Sequence, residues 1–206
     1  MRLGLLGPVS QGASNAALEA AADFLLTAQG VTRVLYLGDD DALDRVVERR
    51  ARDIVTGDPS DDAAWARAEH LVRDGTPEAI DAFIESERRR RSLRVFESLP
   101  RPALRTVEMV GDRLTVLIFD KANLDEEDIF PAALLVYGKG EGCLAKRIGT
   151  RWFLSPGRLG LEGGVCVLDE SGEELVAHFF NQKGSPVLSE RLPNAAAAKL
   201  KVQGGA

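Results

Sequence analysis

Two cysteines and two histidines in 206 residues leave this chain poor in the side chains that staple small folds and bind transition metals. Cys143 and Cys166 are too few for a disulfide framework and show no CxxC or Cys/His spacing. Both fall in apolar or Gly-rich strand surroundings, which predicts buried free thiols and a reducing, cytoplasmic setting. His70 and His178, one in a helical stretch and one in a late strand, read as surface or packing residues. Long hydrophobic runs are missing: Leu3–Leu6 is stopped by Gly7-Pro8, far short of a signal-peptide core or a membrane span. An excess of basic charge is missing as well. Lys and Arg number 26 against 32 Asp and Glu, a formal charge of −6 and a pI near 5.1, which argues against nucleic-acid binding through a broad basic face. No internal repeat is visible.

What is present is an ordinary globular balance, 45% hydrophobic and 28% charged, in a chain long enough for one full domain with a large core. Its organising stretch is Val34-Leu35-Tyr36-Leu37-Gly38-Asp39-Asp40-Asp41, an apolar strand pattern running through a Gly into three carboxylates. A buried strand ending in Gly-Asp presents a carboxylate at the mouth of an α/β sheet, although Gly-Asp is also a common turn.

The flanking pattern repeats that geometry. Leu3–Leu6 reads as a buried strand closed by the loop Gly7–Gly12. Ser14 is placed to cap a helix carrying Leu18, Ala21, Leu25 and Ala28 on one stripe, stopped at Gly30. Val31–Leu37 is the second strand, predicted parallel to the first through a right-handed crossover. An amphipathic segment from Ala42 buries Leu43, Val46 and Val47, and Asp53–Thr56 reads as a third strand ending in Gly57-Asp58-Pro59. Residues from Ser60 to Arg91 predict two helices, the second opened by Pro77 and closed by Arg88-Arg89-Arg90-Arg91, cations suited to a helix C-terminus. From Ala103 the pattern turns to strand: a hairpin over Ala103–Phe119, then Ala132–Tyr137, Cys143–Ile148, Trp152–Leu154, Gly164–Leu168 and Glu174–Phe180, expected to be mainly antiparallel. Residues 1–181 thus read as one domain with a helical insert at about 60–91, and 182–206 as a C-terminal tail free to be flexible.

In this order the loops resemble those of the calcineurin-like metallophosphoesterases, in particular the small bacterial and archaeal phosphodiesterases of that superfamily. The resemblance implies an α/β fold, a two-sheet α/β/β/α sandwich, with two divalent cations held at one edge to activate water and clamp phosphate. Its motifs run Asp-x-His, Gly-Asp, Gly-Asn, His-Gly, Gly-His-x-His and Asn-Pro-Gly-Ser. Here the corresponding places read Pro8-Val9-Ser10, Gly38-Asp39, Gly57-Asp58, Asp120-Lys121, Gly138-Lys139-Gly140-Glu141 and Ser155-Pro156-Gly157-Arg158. Asp39 corresponds to the metal-bridging carboxylate, and no histidine remains at any ligand place.

These departures set the functional expectations. Lys121, Lys139 and Arg158 bring positive charge to or near a site that should attract cations, and an ammonium group offers no lone pair to a metal. The degenerate site therefore comprises Pro8, Ser10, Asp39, Asp58, Asp120, Lys139, Glu141 and Arg158, with no catalytic residue, no metal and no cofactor expected. Lys139 is expected to neutralise Asp39 and Asp58. The leading expectation is a catalytically inactive protein-binding, scaffolding or regulatory module, for which the retromer subunit of this fold is a precedent. Its partner would be a protein or a further copy of the chain, with nucleic acid and membrane excluded. The alternatives are a residual phosphodiesterase using Mn²⁺ or another divalent metal on Asp39 and Asp58, and a phosphate or nucleotide sensor gripping its anion with Lys139 and Arg158.

Overall fold

The computed structural model describes residues 1–10, 15–160, 162–172 and 174–193, without the side chains of Asn15, His70, Arg73 and Asp74. Two β-sheets lie face to face. The first is six-stranded and has the core of the chain on both of its faces. Its central strands are β1 (Arg2–Leu6), β2 (Arg33–Tyr36) and β9 (Gly164–Asp169), with β3 (Phe96–Ser98) at one edge and β10 (Leu175–Asn181) and β11 (Pro186–Leu192) at the other. β1 pairs parallel with β2 and antiparallel with β9. Leu3, Leu5, Leu35, Leu37, Cys166 and Leu168 point towards the second sheet, while Leu6, Val34, Tyr36, Val165 and Val167 alternate onto the helices behind. That double burial explains why these strands read as unbroken apolar runs.

The helices behind are α1 (Asn15–Thr27) and α2 (Ala42–Ile54). α1 buries Leu18, Ala21, Ala22 and Leu25, and α2 buries Ala42, Leu43 and Val46. Ser14, expected to cap α1, lies outside the described residues. The second sheet runs β4 (Arg105–Val110), β5 (Arg113–Ile118), β6 (Leu134–Tyr137), β8 (Arg151–Ser155) and β7 (Leu144–Ile148). β5–β6 and β6–β8 are parallel, which makes this sheet mixed, while the other back-half pairs β4–β5, β7–β8 and β9–β10 are antiparallel as expected. The β5–β6 crossover carries a 3₁₀ turn, Lys121–Asn123, and a single α-helical turn, α5 (Glu126–Ile129), over the outer face of this sheet. Val107, Met109, Phe130 and Ile148 consequently remain exposed there.

Two expectations are corrected. Asp53–Thr56 is not a strand: α2 continues to Ile54, and the Val55 amide donates back to Ala51 O at 3.1 Å. The third strand is β3, parallel to β2, more than forty residues later. It is fixed by Arg33, whose guanidinium bridges Glu97 of β3 and Glu108 of β4 at 2.5 Å each. Between α2 and β3 stand two helices, α3 (Ala64–Asp74) and α4 (Pro77–Ser92). Lastly, the stretch expected as a tail from 182 supplies the edge strand β11, anchored by the fully buried Leu192; residues 194–206 lie outside the described residues. Among the described residues no helix is long and apolar enough to cross a membrane.

Candidate functional site

The carboxyl ends of β1, β2, β3, β5, β6 and β8 feed loops onto one edge of the sandwich, and close backbone contacts join them across the two sheets. The loop after β1 packs on the one after β8. A Cβ on Gly7 would sit 1.8 Å from Gly157 O, which is why only Gly fits there. Leu159 N donates to Pro8 O at 2.8 Å, and Ser10 N to Leu159 O at 3.0 Å. Pro8, Ser10 and Arg158 are thereby neighbours. The loop after β6 packs on the one after β2 in the same way: a Cβ on Gly138 would sit 1.9 Å from Leu37 O.

Within the β2 loop, two adjacent carboxylates do different work. Tyr36, buried at the end of β2, donates its hydroxyl to Asp40 Oδ1 at 2.8 Å and accepts from Val9 N at 3.1 Å. Asp40 Oδ1 also accepts from Ala42 N at 3.0 Å, the first residue of α2. Burial pushes the Tyr36 phenol well above its ordinary range, so it stays a donor. Asp40 is thus a structural hook, and Asp39 is left exposed at the edge. Arg101, in the loop after β3, reaches the backbone carbonyl of Asp39 at 3.4 Å.

Lys139 pairs with Asp120 rather than with Asp39 or Asp58. Its Nζ lies 2.5 Å from Asp120 Oδ2, and its own amide donates to Phe119 O at 2.7 Å. The Lys139 hydrogen bond, with that of Ala122 N, holds the Asp120 carboxyl below the usual carboxylate range. Lys121 turns the other way, its ammonium 4.8 Å from the centre of the Tyr137 ring. Glu141 is exposed on the loop after β6.

Asp58 does not join this edge. Gly57-Asp58 follows a helix, and α2, 13 residues and so roughly 20 Å long, separates it from Asp39. Its carboxylate closes a local turn by accepting from Ser60 N at 2.8 Å, which also draws its pKa down. The residue that sequence reasoning missed is Arg101, because the misplaced third strand pointed to the wrong loop. The signal was the Pro100-Arg101-Pro102 break directly after Phe96–Leu99.

No family model matches the chain, and no curated protein does. Solved structures do. Yfce, a phosphoesterase from E. coli, superposes with a TM-score of 0.56 at 16% identity, covering 94% of this chain and 100% of its own. A single mutant of Vps29 from Entamoeba histolytica matches at 0.50 and 16% identity, covering 93% of this chain and 98% of its own. The fold is that of the calcineurin-like metallophosphoesterases. At this identity the likeness establishes the fold alone.

A metallophosphoesterase site holds two divalent cations on carboxylates and neutral imidazoles, and the donors at this edge do not fit that pair. Pro8 has no donor side chain, and Ser10 is a neutral hydroxyl. The third loop presents Arg101 rather than an amide. Asp120, on the loop after β5, already holds Lys139. Among the described residues no three His, Cys, Asp or Glu side chains gather into a metal-binding group. Chemically the edge offers the exposed carboxylates of Asp39 and Glu141 together with guanidinium and ammonium groups, which suits recognition of a charged surface.

Proposed function

We infer that this chain is a catalytically inactive protein of the metallophosphoesterase fold that works as a protein-binding module, without a metal or other cofactor. The observation that carries the reading is the Lys139–Asp120 ion pair, which puts a cation where the fold's chemistry needs a lone pair. The remodelled surfaces offer contact area. Phe130 is 82% exposed on the crossover loop, and Arg151 braces it by donating to Ile129 O at 2.8 Å and Phe130 O at 3.1 Å. An exposed aromatic on a backbone tied down in this way is a common anchor for a protein partner.

The test is hydrolysis of bis-p-nitrophenyl phosphate with Mn²⁺, together with elemental analysis after incubation with Mn²⁺, Zn²⁺ or Ni²⁺. The expected result is no bound metal and a background rate that Asp39→Ala leaves unchanged. Turnover that is robust in the wild type and lost in Asp39→Ala would support a residual metal-dependent phosphodiesterase instead. A second reading, an anion or nucleotide sensor, draws on Lys139 and Arg158, with Arg101 reaching the Asp39 backbone on the same edge. A thermal-shift screen with phosphate and nucleotides separates it, since only a sensor is stabilised by its ligand.

A further inference from the structure

The hairpin formed by α3 and α4 is built inside out. The side chains it buries are charged: Arg67 Nε donates to Glu87 Oε1 at 2.8 Å and Arg90 Nε to Glu87 Oε2 at 2.9 Å. Arg67 also bonds the carbonyls of Asp58 and Ser60, and Arg90 those of Pro59 and the carboxylate of Asp61. Most of its large apolar side chains face solvent, and Leu71 and Phe83 are only partly covered. Trp65 is 83% exposed, Val72 80%, Ile80 42% and Ile84 41%. Helices in proteins draw most of their stability from covering an apolar face, and this hairpin leaves that face open.

The open face is continuous and its charges are ordered. Trp65, Ala68 and Val72 recur at spacings of three and four along α3 and line one hollow. Trp65 and Ala68 share the next hollow, about 440 Å³, with Phe83 and Ile84 of α4. Exposed acidic residues Glu78 and Asp81 occupy the first half of α4, with Glu85 just past its middle; exposed Arg88, Arg89 and Arg91 occupy the second half. Asp81, Ile84, Arg88 and Arg91 fall on one stripe at spacings of three, four and three, next to Ile80. A helix with that pattern is complementary to its own reverse.

We propose that this face pairs with the same face of a second copy, α4 antiparallel to α4, in a four-helix interface. A two-fold axis passing between Ile84 and Glu85 sets Asp81 of each copy opposite Arg88 of the other, because that pair is centred on that point and lies on one stripe of the helix. The interface is isologous, so each contact occurs twice, and each Trp65 that closes over the partner adds roughly 150–250 Å² of burial. Parallel pairing would bring the arginine clusters together, so the charges select the antiparallel arrangement. The surface is separate from the loop edge, and dimerisation stands whether or not that edge turns over phosphodiesters.

Sedimentation equilibrium of the full chain over the micromolar range tests this. The wild type is expected to dimerise. Asp81→Arg and Arg88→Asp should each weaken the dimer about tenfold or more, since each sets like charges opposite twice. The double variant should recover it, and an equimolar mixture of the two single variants should form heterodimers that neither forms alone. Trp65→Glu should be monomeric with an unchanged far-UV circular dichroism spectrum. A wild type that stays monomeric overturns the proposal. So does a dimer indifferent to the charge reversals, which would point to another face such as the outer side of the second sheet.

Discussion

Lys139 Nζ lies 2.5 Å from Asp120 Oδ2, and that one contact ties the loop after β6 to the loop after β5. The lysine is half exposed, so the pair is screened by water and its worth is modest. Lys139→Met should cost under ~1 kcal/mol in urea titrations at pH 7. Asp120 is the partner whose folded pKa is depressed, so the stabilisation is full above the usual carboxylate range and fades as pH falls through the depressed value. The difference between wild type and Lys139→Met should therefore vanish in strong acid. A cost of several kcal/mol would mean that Lys139 also neutralises Asp39.

Gly138→Ala tests how tightly the two sheets are joined at the site. A Cβ there would sit 1.9 Å from Leu37 O, a backbone atom with no room to move. The expected loss is about 1–3 kcal/mol or more, a fall in melting temperature of several degrees. Gly142→Ala, four residues on and with no atom within 4 Å of its Cβ, is the control and should leave the melting temperature unchanged.

How much of this was legible depended on whether the signal was local. β1, β2 and β9 stood out because both their faces are buried, and their Gly-rich closures followed from backbone crowding at the edge. The third strand was missed for two reasons. Ile54-Val55-Thr56 has a β-branched run that imitates a strand, yet it lies where α2 ends. The real strand, Phe96–Ser98, has three residues and is held by distant partners, Arg33 on β2 and Glu108 beyond it. That error carried Asp58 into the site and left Arg101 out. β11 was read as a tail because its strand has Pro186 at the start and one buried residue, Leu192, at the end. Nor can spacing say which of several carboxylates a lysine will choose; Lys139 took Asp120 because the β5 and β6 loops are adjacent through a parallel pair.

Asp169→Asn should expose the pin between the chain's first strand and β9. Arg2 donates to Asp169 Oδ2 through Nε at 2.9 Å and Nη2 at 2.6 Å, and Ser171 N donates to Oδ1 at 2.9 Å. These bonds, that of Arg2 foremost, hold the Asp169 carboxyl far below its ordinary range. Because Arg2 is partly exposed, a loss of about 1–2 kcal/mol at neutral pH is expected. Wild type loses this contribution only as pH falls through the depressed carboxylate pKa, so the two proteins should converge in strong acid. Parallel denaturation curves at both pH values check it.

Glu87→Gln should loosen the α3–α4 hairpin without unfolding the sandwich. Glu87 is the only carboxylate placed to accept from both buried guanidiniums among the described residues, and Arg67, Glu87 and Arg90 all have side chains less than 12% exposed. Removing it leaves the buried Arg67 without a carboxylate and Arg90 with only the half-exposed Asp61, a penalty of up to about 3–5 kcal/mol. None of the three apolar core clusters includes a residue of α3 or α4, so the hairpin can open while the sheets stay packed. The expected result is faster amide exchange across 58–92 and little change over β1, β2 and β9. Acid should do the same to the wild type. Arg67 holds the Glu87 carboxyl below its usual range, so protection persists above the carboxylate range and fades as pH falls through the lowered value. Glu87→Gln has no such proton to take up, and its hairpin exchange should lack that pH dependence. Replacing Arg67, Glu87 and Arg90 together by Met and Leu removes every buried charge at once and should restore protection, since the single variant fails through the charges it strands.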